Sequence, residues 1–140
     1  MRLSKAEYFI EIAKTVAIRS TCLKRQYGAV VVNNDEIISK GYNGSPRGET
    51  NCCDAGVCYK DKHLLPIDPL SAVHGDQYGS CLAVHAEMNA IISASRKDLN
   101  GATLYLACLD ENVNPIPCNI CNRRIVNAGI KNVITKKGDC

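Results

Sequence analysis

His85-Ala86-Glu87 and Pro117-Cys118-Asn119-Ile120-Cys121 are the two segments whose residue types and spacing could do chemistry. Cysteines three apart share one face of a helical turn, so the Cys118 and Cys121 thiolates can reach a single metal ion, with His85 as a third ligand. A tetrahedral zinc with three protein ligands keeps its fourth position for water, the pattern of a catalytic site rather than a closed structural one. Two thiolates and a neutral imidazole cancel the formal charge of the ion. They acidify the bound water less than three histidines would, so a nearby base is needed. Glu87 is placed for that role. It stands two residues from His85, about 200° around an ideal helix, so both side chains face the metal only if His85 sits at the non-helical edge. That geometry makes Glu87 a proton carrier and not a ligand. A lone histidine at a helix start is usually a hydrogen-bonded core or surface residue, and a lone C-x-x-C is often redox-active or structural. The two signals together are much more specific.

These residues need helices that begin at the right places. Both ligand groups fall at predicted helix N-termini, where the positive end of the helix dipole favours thiolate over thiol. One helix is expected over about 86–97, with Met88, Ile91, Ile92 and Ser95 on one side and Arg96-Lys97 at its C-terminal end. The other is expected from Cys118 to Ala128, stopped by Gly129. Upstream, Ser4-Lys5-Ala6-Glu7 reads as a capping box. Phe9, Ile12, Ala13 and Val16 then follow at helical spacing, so a first helix spans about 5–18. Ala29-Val30-Val31-Val32, the turn Asn33-Asn34-Asp35 and Ile37 to Tyr42 predict a hairpin that runs into a turn at Asn43-Gly44-Ser45-Pro46. Strands are expected at Thr103–Leu106 and Asn132–Thr135, parallel to each other because a helix joins them. The order α-β-β-α-β-α-β implies a sheet covered by helices. Residues 45–81 show no periodicity and concentrate Gly, Pro, Asp and four Cys, so a bound metal is expected to order them.

The chain has 140 residues, 46% of them hydrophobic, which suits one domain over 1–140 and excludes two large ones. Lys plus Arg number 17 against 14 Asp plus Glu, a net +3 too balanced to grip a long nucleic-acid duplex. The N-terminal residues lack a signal-peptide core, and no apolar run approaches the ~18 residues of a membrane span, so a cytoplasmic location is expected. Nine Cys without an export signal point to metal ligation rather than a disulfide framework.

H-x-E paired with P-C-x-x-C is the signature of zinc-dependent nucleobase deaminases. Over about 16–135 the chain resembles the cytidine and deoxycytidylate deaminase superfamily, most closely its dCMP deaminase branch. Arg19-Ser20-Thr21-Cys22, Gly28-Ala29-Val30, Gly41-Tyr42-Asn43-Gly44-Ser45-Pro46, Asn51-Cys52, His85 to Ile91, Pro117 to Cys121 and Asn127-Ala128-Gly129-Ile130 carry the resemblance. It implies a three-layer α-β-α fold of the cytidine deaminase type with a mixed sheet. It further implies hydrolytic deamination of dCMP to dUMP with release of ammonia, supplying dUMP for thymidylate synthesis. Glu87 would deprotonate the water that attacks C4 of cytosine and pass protons to N3 and the departing amine.

The same resemblance matches Asn43 to a sugar-contacting asparagine, against its reading as a turn residue. The Ala86 backbone N–H would hold the pyrimidine carbonyl. Arg47, Lys24 and Arg25 are candidates for a 5′-phosphate, against solvated surface charge. Cys22 and Cys52 match ligands of a second, structural zinc that Cys58 and Cys81 would complete, with His74 as the alternative to one of them. Cys53, Cys108 and Cys140 are expected to be ordinary thiols. Arg96 matches a position linked to regulation by dCTP and dTTP, against a basic helix C-terminus. A homo-oligomer, a hexamer, is also implied. Two departures stand out: nine residues, Cys108 to Ile116, form a longer connection before Pro117 than is usual, and the chain stops soon after its last strand. The rival readings are a deaminase for another cytosine nucleotide or nucleoside, one for transfer-RNA adenosine, and a non-catalytic zinc-stabilised binding module.

Overall fold

A computed structural model describes residues 1–58 and 81–135. Helix α1, Lys5–Ala17, starts where its sequence says it should. The Glu7 N–H donates to Ser4 Oγ at 3.2 Å and the Ser4 N–H to Glu7 Oε2 at 3.0 Å, closing the capping box. Its buried stripe is Ala6, Phe9, Ile10, Ala13 and Ala17. Strands β1, Tyr27–Asn33, and β2, Glu36–Tyr42, form an antiparallel hairpin. Asn34 and Asp35 turn it with φ of 52° and 64°, the left-handed pair that a two-residue hairpin loop of matching twist requires. The short helix α2, Cys52–Ala55, follows, then α3, Ala86–Ile92, and α4, Arg96–Leu99. Strand β3, Thr103–Cys108, helix α5, Asn119–Ala128, and strand β4, Asn132–Ile134, complete the described elements.

The sheet order is β2-β1-β3-β4, with β3 antiparallel to β1 and parallel to β4. Alternation along the two central strands sorts their side chains to opposite faces. Val30, Val32, Tyr105 and Ala107 meet α1, while Ala29, Val31, Leu104 and Leu106 meet Ala86 and Ala90 of α3 and Ile125 and Ala128 of α5. Because both faces are covered, β1 is buried without a break from Gly28 to Val32. The result is the expected three-layer α-β-α arrangement with a mixed sheet. No helix among the described residues is long and apolar enough to cross a membrane.

Two local readings are corrected. The helix expected over 86–97 is broken, because Ser95 Oγ accepts from the Asp98 N–H at 3.1 Å and caps a new turn. Arg96 and Lys97 therefore open α4 instead of closing a long helix, and Ile92, expected on the packed side, is 75% exposed. Nor does the chain turn at Asn43-Gly44. Gly44 and Val84 exchange both backbone hydrogen bonds, at 3.2 and 2.7 Å, and the turn lies later, where the Glu49 N–H reaches the Pro46 carbonyl and Gly48 takes φ 86°. Within 45–81, α2 is the regular piece among the described residues; 59–80, with His74, lie outside them.

The seat of α3 on β2 is tight. A Cβ on Gly41 would stand 2.5 Å from both the Ala86 carbonyl oxygen and the Ala90 nitrogen, so only glycine lets the helix lie this close. Ser39 Oγ donates to the Ala90 carbonyl at 2.7 Å and Asn89 Nδ2 to the Tyr42 carbonyl at 2.8 Å, fixing the helix along the strand. Gly41→Ala is expected to lower unfolding stability by about 1–3 kcal/mol in urea titration, because the obstacle is backbone and cannot rotate away.

Candidate active site

His85 is the N-cap of α3, with extended backbone at φ −69° and ψ 154°, so it stands at the non-helical edge and the helix proper begins at Ala86. Cys118 is the N-cap of α5 in the same conformation, and its sulfur accepts the Cys121 N–H at 3.4 Å. Since α3 and α5 cover one face of the sheet, the two helix starts converge. His85 Nδ1 lies 3.4 Å from Cys118 Sγ and 3.3 Å from Cys121 Sγ. Among the described residues these three form the one group of such donors in which all ligand atoms fall within 4.8 Å of one another. Ligand atoms around a tetrahedral zinc stand roughly 3.5–3.8 Å apart at ordinary Zn–N and Zn–S bond lengths. The donor set therefore fits the ion with shifts of a few tenths of an ångström.

Glu87 is 5% exposed, and its carboxyl is hydrogen-bonded to its own backbone N–H and to the Cys121 thiol. Burial raises it above the usual carboxylate range, with the backbone N–H, His85 and Cys121 pulling the other way. Burial also pushes the Cys121 thiol strongly up, and the charge of Glu87 adds to it. The expected helix-terminus effect is overridden for Cys121. A cation bound there would have to displace the thiol proton.

Beside this group opens a cavity of about 420 Å³, lined by His85, Ala86, Glu87 and Cys118 together with Asn43. The cavity also receives Lys24, Arg25 and Tyr27 from the approach to β1, and Ile116 from the segment before α5. Asn43 is buried and braces that approach. Its Oδ1 accepts from Ser20 Oγ at 2.6 Å and the Tyr27 N–H at 2.8 Å, while Nδ2 donates to the Arg25 carbonyl at 2.9 Å. One Nδ2 hydrogen remains beyond these bonds for a ligand in the cavity.

Tyr27 escaped sequence reasoning. Burial raises its phenol, which the Arg25 side chain hydrogen-bonds. The available signal was an aromatic hydroxyl two residues after the basic pair Lys24-Arg25 and just ahead of an apolar strand. Arg47 is exposed in the turn at 46–49 and does not line the cavity. Arg96 lies on α4, where Nη1 donates to the Asn127 carbonyl at 3.2 Å.

Cys22, Cys52, Cys58 and Cys81 line a small adjoining cavity of about 20 Å³, and Cys22, Cys58 and Cys81 line the larger cavity too. Thr21 also lines the small one, and its buried Oγ1 has no hydrogen-bond partner among the described residues. The four are gathered but not in mutual ligand contact, since no three of their sulfurs come within 4.8 Å of one another. Cys53 is exposed and Cys108 buried, and Cys140 lies outside the described residues.

Residues 3–137 match the cytidine and deoxycytidylate deaminase zinc-binding region. The chain belongs to this deaminase family. A deoxycytidylate deaminase of Schizosaccharomyces pombe is 37% identical over 134 residues, covering 95% of this chain and 37% of the relative. One from Mycobacterium phage D29 is 37% identical over 131 residues, covering 94% of this chain and 93% of the relative. The chain thus spans well under half of the yeast relative and nearly all of the phage one. The crystal structure of a dCMP deaminase from the cyanophage S-TIM5, in complex with dCMP and dUMP, superposes with a TM-score of 0.67 at 27% identity, over 96% of this chain and 82% of that one.

A zinc-binding family and the His/Cys/Cys group together support one zinc in this deaminase-family chain. Cys121→Ala is expected to remove one equivalent of zinc per chain in elemental analysis. Chelation of the wild-type protein is expected to lower its Tm, because the ion binds the folded chain.

Proposed function

We propose that this chain hydrolyses dCMP to dUMP, replacing the C4 amine of cytosine by oxygen and releasing ammonia. The observation that carries the reading is the buried Glu87 carboxyl beside three converging metal donors, at the wall of a cavity sized for a nucleotide. The deoxycytidylate deaminases that resemble the chain along nearly its whole length, and the S-TIM5 enzyme seen with dCMP and dUMP, support the choice of substrate.

His85, Cys118 and Cys121 are the residues that would hold the zinc. Bound there, the ion supplies a Lewis acid and an acidified water at its open position. Glu87 does the proton work: it takes a proton from the attacking water and delivers it to N3 of the ring, then takes the second proton from the new C4 hydroxyl and passes it to the departing amine as the C4–N bond breaks. Its burial suits this task, because a carboxyl raised toward neutrality holds a proton and releases it at little cost. The Ala86 N–H, at the start of α3 on the cavity wall, donates to the pyrimidine carbonyl oxygen, and the remaining Nδ2 hydrogen of Asn43 faces the sugar. Lys24 and Arg25 meet the 5′-phosphate, Arg25 steadied by its bond to the Tyr27 phenol.

A second, structural zinc among Cys22, Cys52, Cys58 and Cys81 belongs to the same reading. Its supports are their common cavity, about the size of one water or ion, and the orphaned Thr21 hydroxyl beside it. Binding would draw the four sulfurs together.

The test is ammonia release from zinc-loaded protein with dCMP, deoxycytidine, cytidine, CMP and a transfer-RNA anticodon arm in parallel. Turnover of dCMP above the others is expected; turnover of none of them, or of the RNA alone, overturns the reading. Glu87→Gln is expected to lower kcat by about 10²–10⁴-fold with zinc retained. Arg25→Gln is expected to lower kcat/KM for dCMP while leaving that for deoxycytidine unchanged.

A further inference from the structure

Ile116 is a large aliphatic side chain left 73% exposed, yet it lines the active-site cavity. The segment that presents it is anchored along its length. The Leu109 N–H donates to the Gln26 carbonyl at 3.0 Å, the Asn112 N–H to Asp110 Oδ1 at 3.0 Å, and the Val113 N–H to the Asp110 carbonyl at 3.1 Å. Lys14 Nζ ties Glu111 to α1 at 3.1 Å. Pro115 is buried against a second cavity of about 250 Å³ that Ile10 and Lys14 of α1 also line. On the other side Pro117 leads straight into Cys118, the N-cap of α5. Proline fixes φ at 115 and 117, and a residue that precedes proline is confined to extended backbone. Ile116 is thus held in place between two rings.

An apolar side chain held in water loses little conformational freedom when a ligand covers it, so its burial goes almost wholly into affinity. Which part of a ligand it covers follows from reach. Ile116 stands two residues before Cys118, so their Cα atoms are no more than about 7 Å apart. Cys118 marks the end of the cavity where the reacting carbon must lie, and the cationic Lys24 and Arg25 suit the phosphate. We infer that Ile116 packs on the pyrimidine ring and is a base-binding residue of the site, the role of the long connection between β3 and α5 being to hold it there. The inference rests on the deaminase reading above.

The experiment compares wild type, Ile116→Ala and Ile116→Val, all zinc-loaded, for turnover of dCMP and deoxycytidine and for calorimetric binding of dUMP. Because both substrates carry the same base, Ile116→Ala is expected to raise KM for each by about tenfold, with kcat within about twofold. The preference for dCMP over deoxycytidine, the zinc content and Tm are expected to stay as in wild type, and Ile116→Val to recover most of the affinity. An unchanged KM for both substrates, or a rise for dCMP alone, overturns the base contact. If wild type releases no ammonia, the deaminase reading fails by itself. The dUMP titration then decides the contact: a tenfold weaker fit in Ile116→Ala upholds it, while equal affinity, or no binding by wild type, overturns it.

Discussion

The convergence of two helix starts on one point is the constraint from which the rest of the structure follows. His85 and Cys118 are both N-caps, and the side chains they project meet within 3.3–3.4 Å of a common partner set. Neither helix can supply that geometry alone. It requires α3 and α5 to lie on the same face of one sheet, at a height set by glycine at position 41 and along a line set by Ser39 and Asn89. The parallel β3–β4 pairing serves the same end, since a connection between parallel neighbours must cross the sheet face and here that crossover is α5. On the opposite face α1 completes the burial of β1 and β3, and through Lys14 and the pocket around Pro115 it also supports the segment that enters the site.

Ionising this site is unfavourable without a cation. Glu87 and the Cys121 thiol are buried side by side: burial raises both, and the charge of Glu87 further opposes ionisation of the thiol, whose hydrogen bond in turn favours the carboxylate. A divalent ion reverses the balance by stabilising the thiolate and freeing the carboxylate from its role as acceptor for the thiol proton. The same burial that opposes an empty ionised site therefore favours a loaded one, and it leaves Glu87 as a buried carboxyl able to hold a proton. Structure, metal affinity and acid–base capacity thus share one cause.

Features governed by local chemistry were legible in the sequence. The Ser4–Glu7 box, the Asn34-Asp35 turn and the Gly129 stop follow from short-range preferences, the placement of His85 outside its helix from what a shared metal demands, and the structure has them all. Features decided by competition or by long-range contact were not. Apolar periodicity ran through 86–97, but a serine able to cap a new turn outweighed it. Asn-Gly is a turn signal, yet Gly44 pairs with Val84, 40 positions away in sequence, and Asn43 is drawn inward to brace three backbone and side-chain groups. Charge alone could not separate Lys24 and Arg25, which reach the cavity, from Arg47, which does not.

The most direct test of the central claim is a crystal structure of the zinc-loaded protein with dUMP, using the anomalous signal of zinc to place the metal. A peak is expected at about 2.0–2.3 Å from a nitrogen of His85 and from the sulfurs of Cys118 and Cys121. The uracil ring would lie beside it, with Glu87 within hydrogen-bond reach of the C4 oxygen. A peak elsewhere with Cys118 and Cys121 joined in a disulfide, or a base bound away from Glu87, would contradict it.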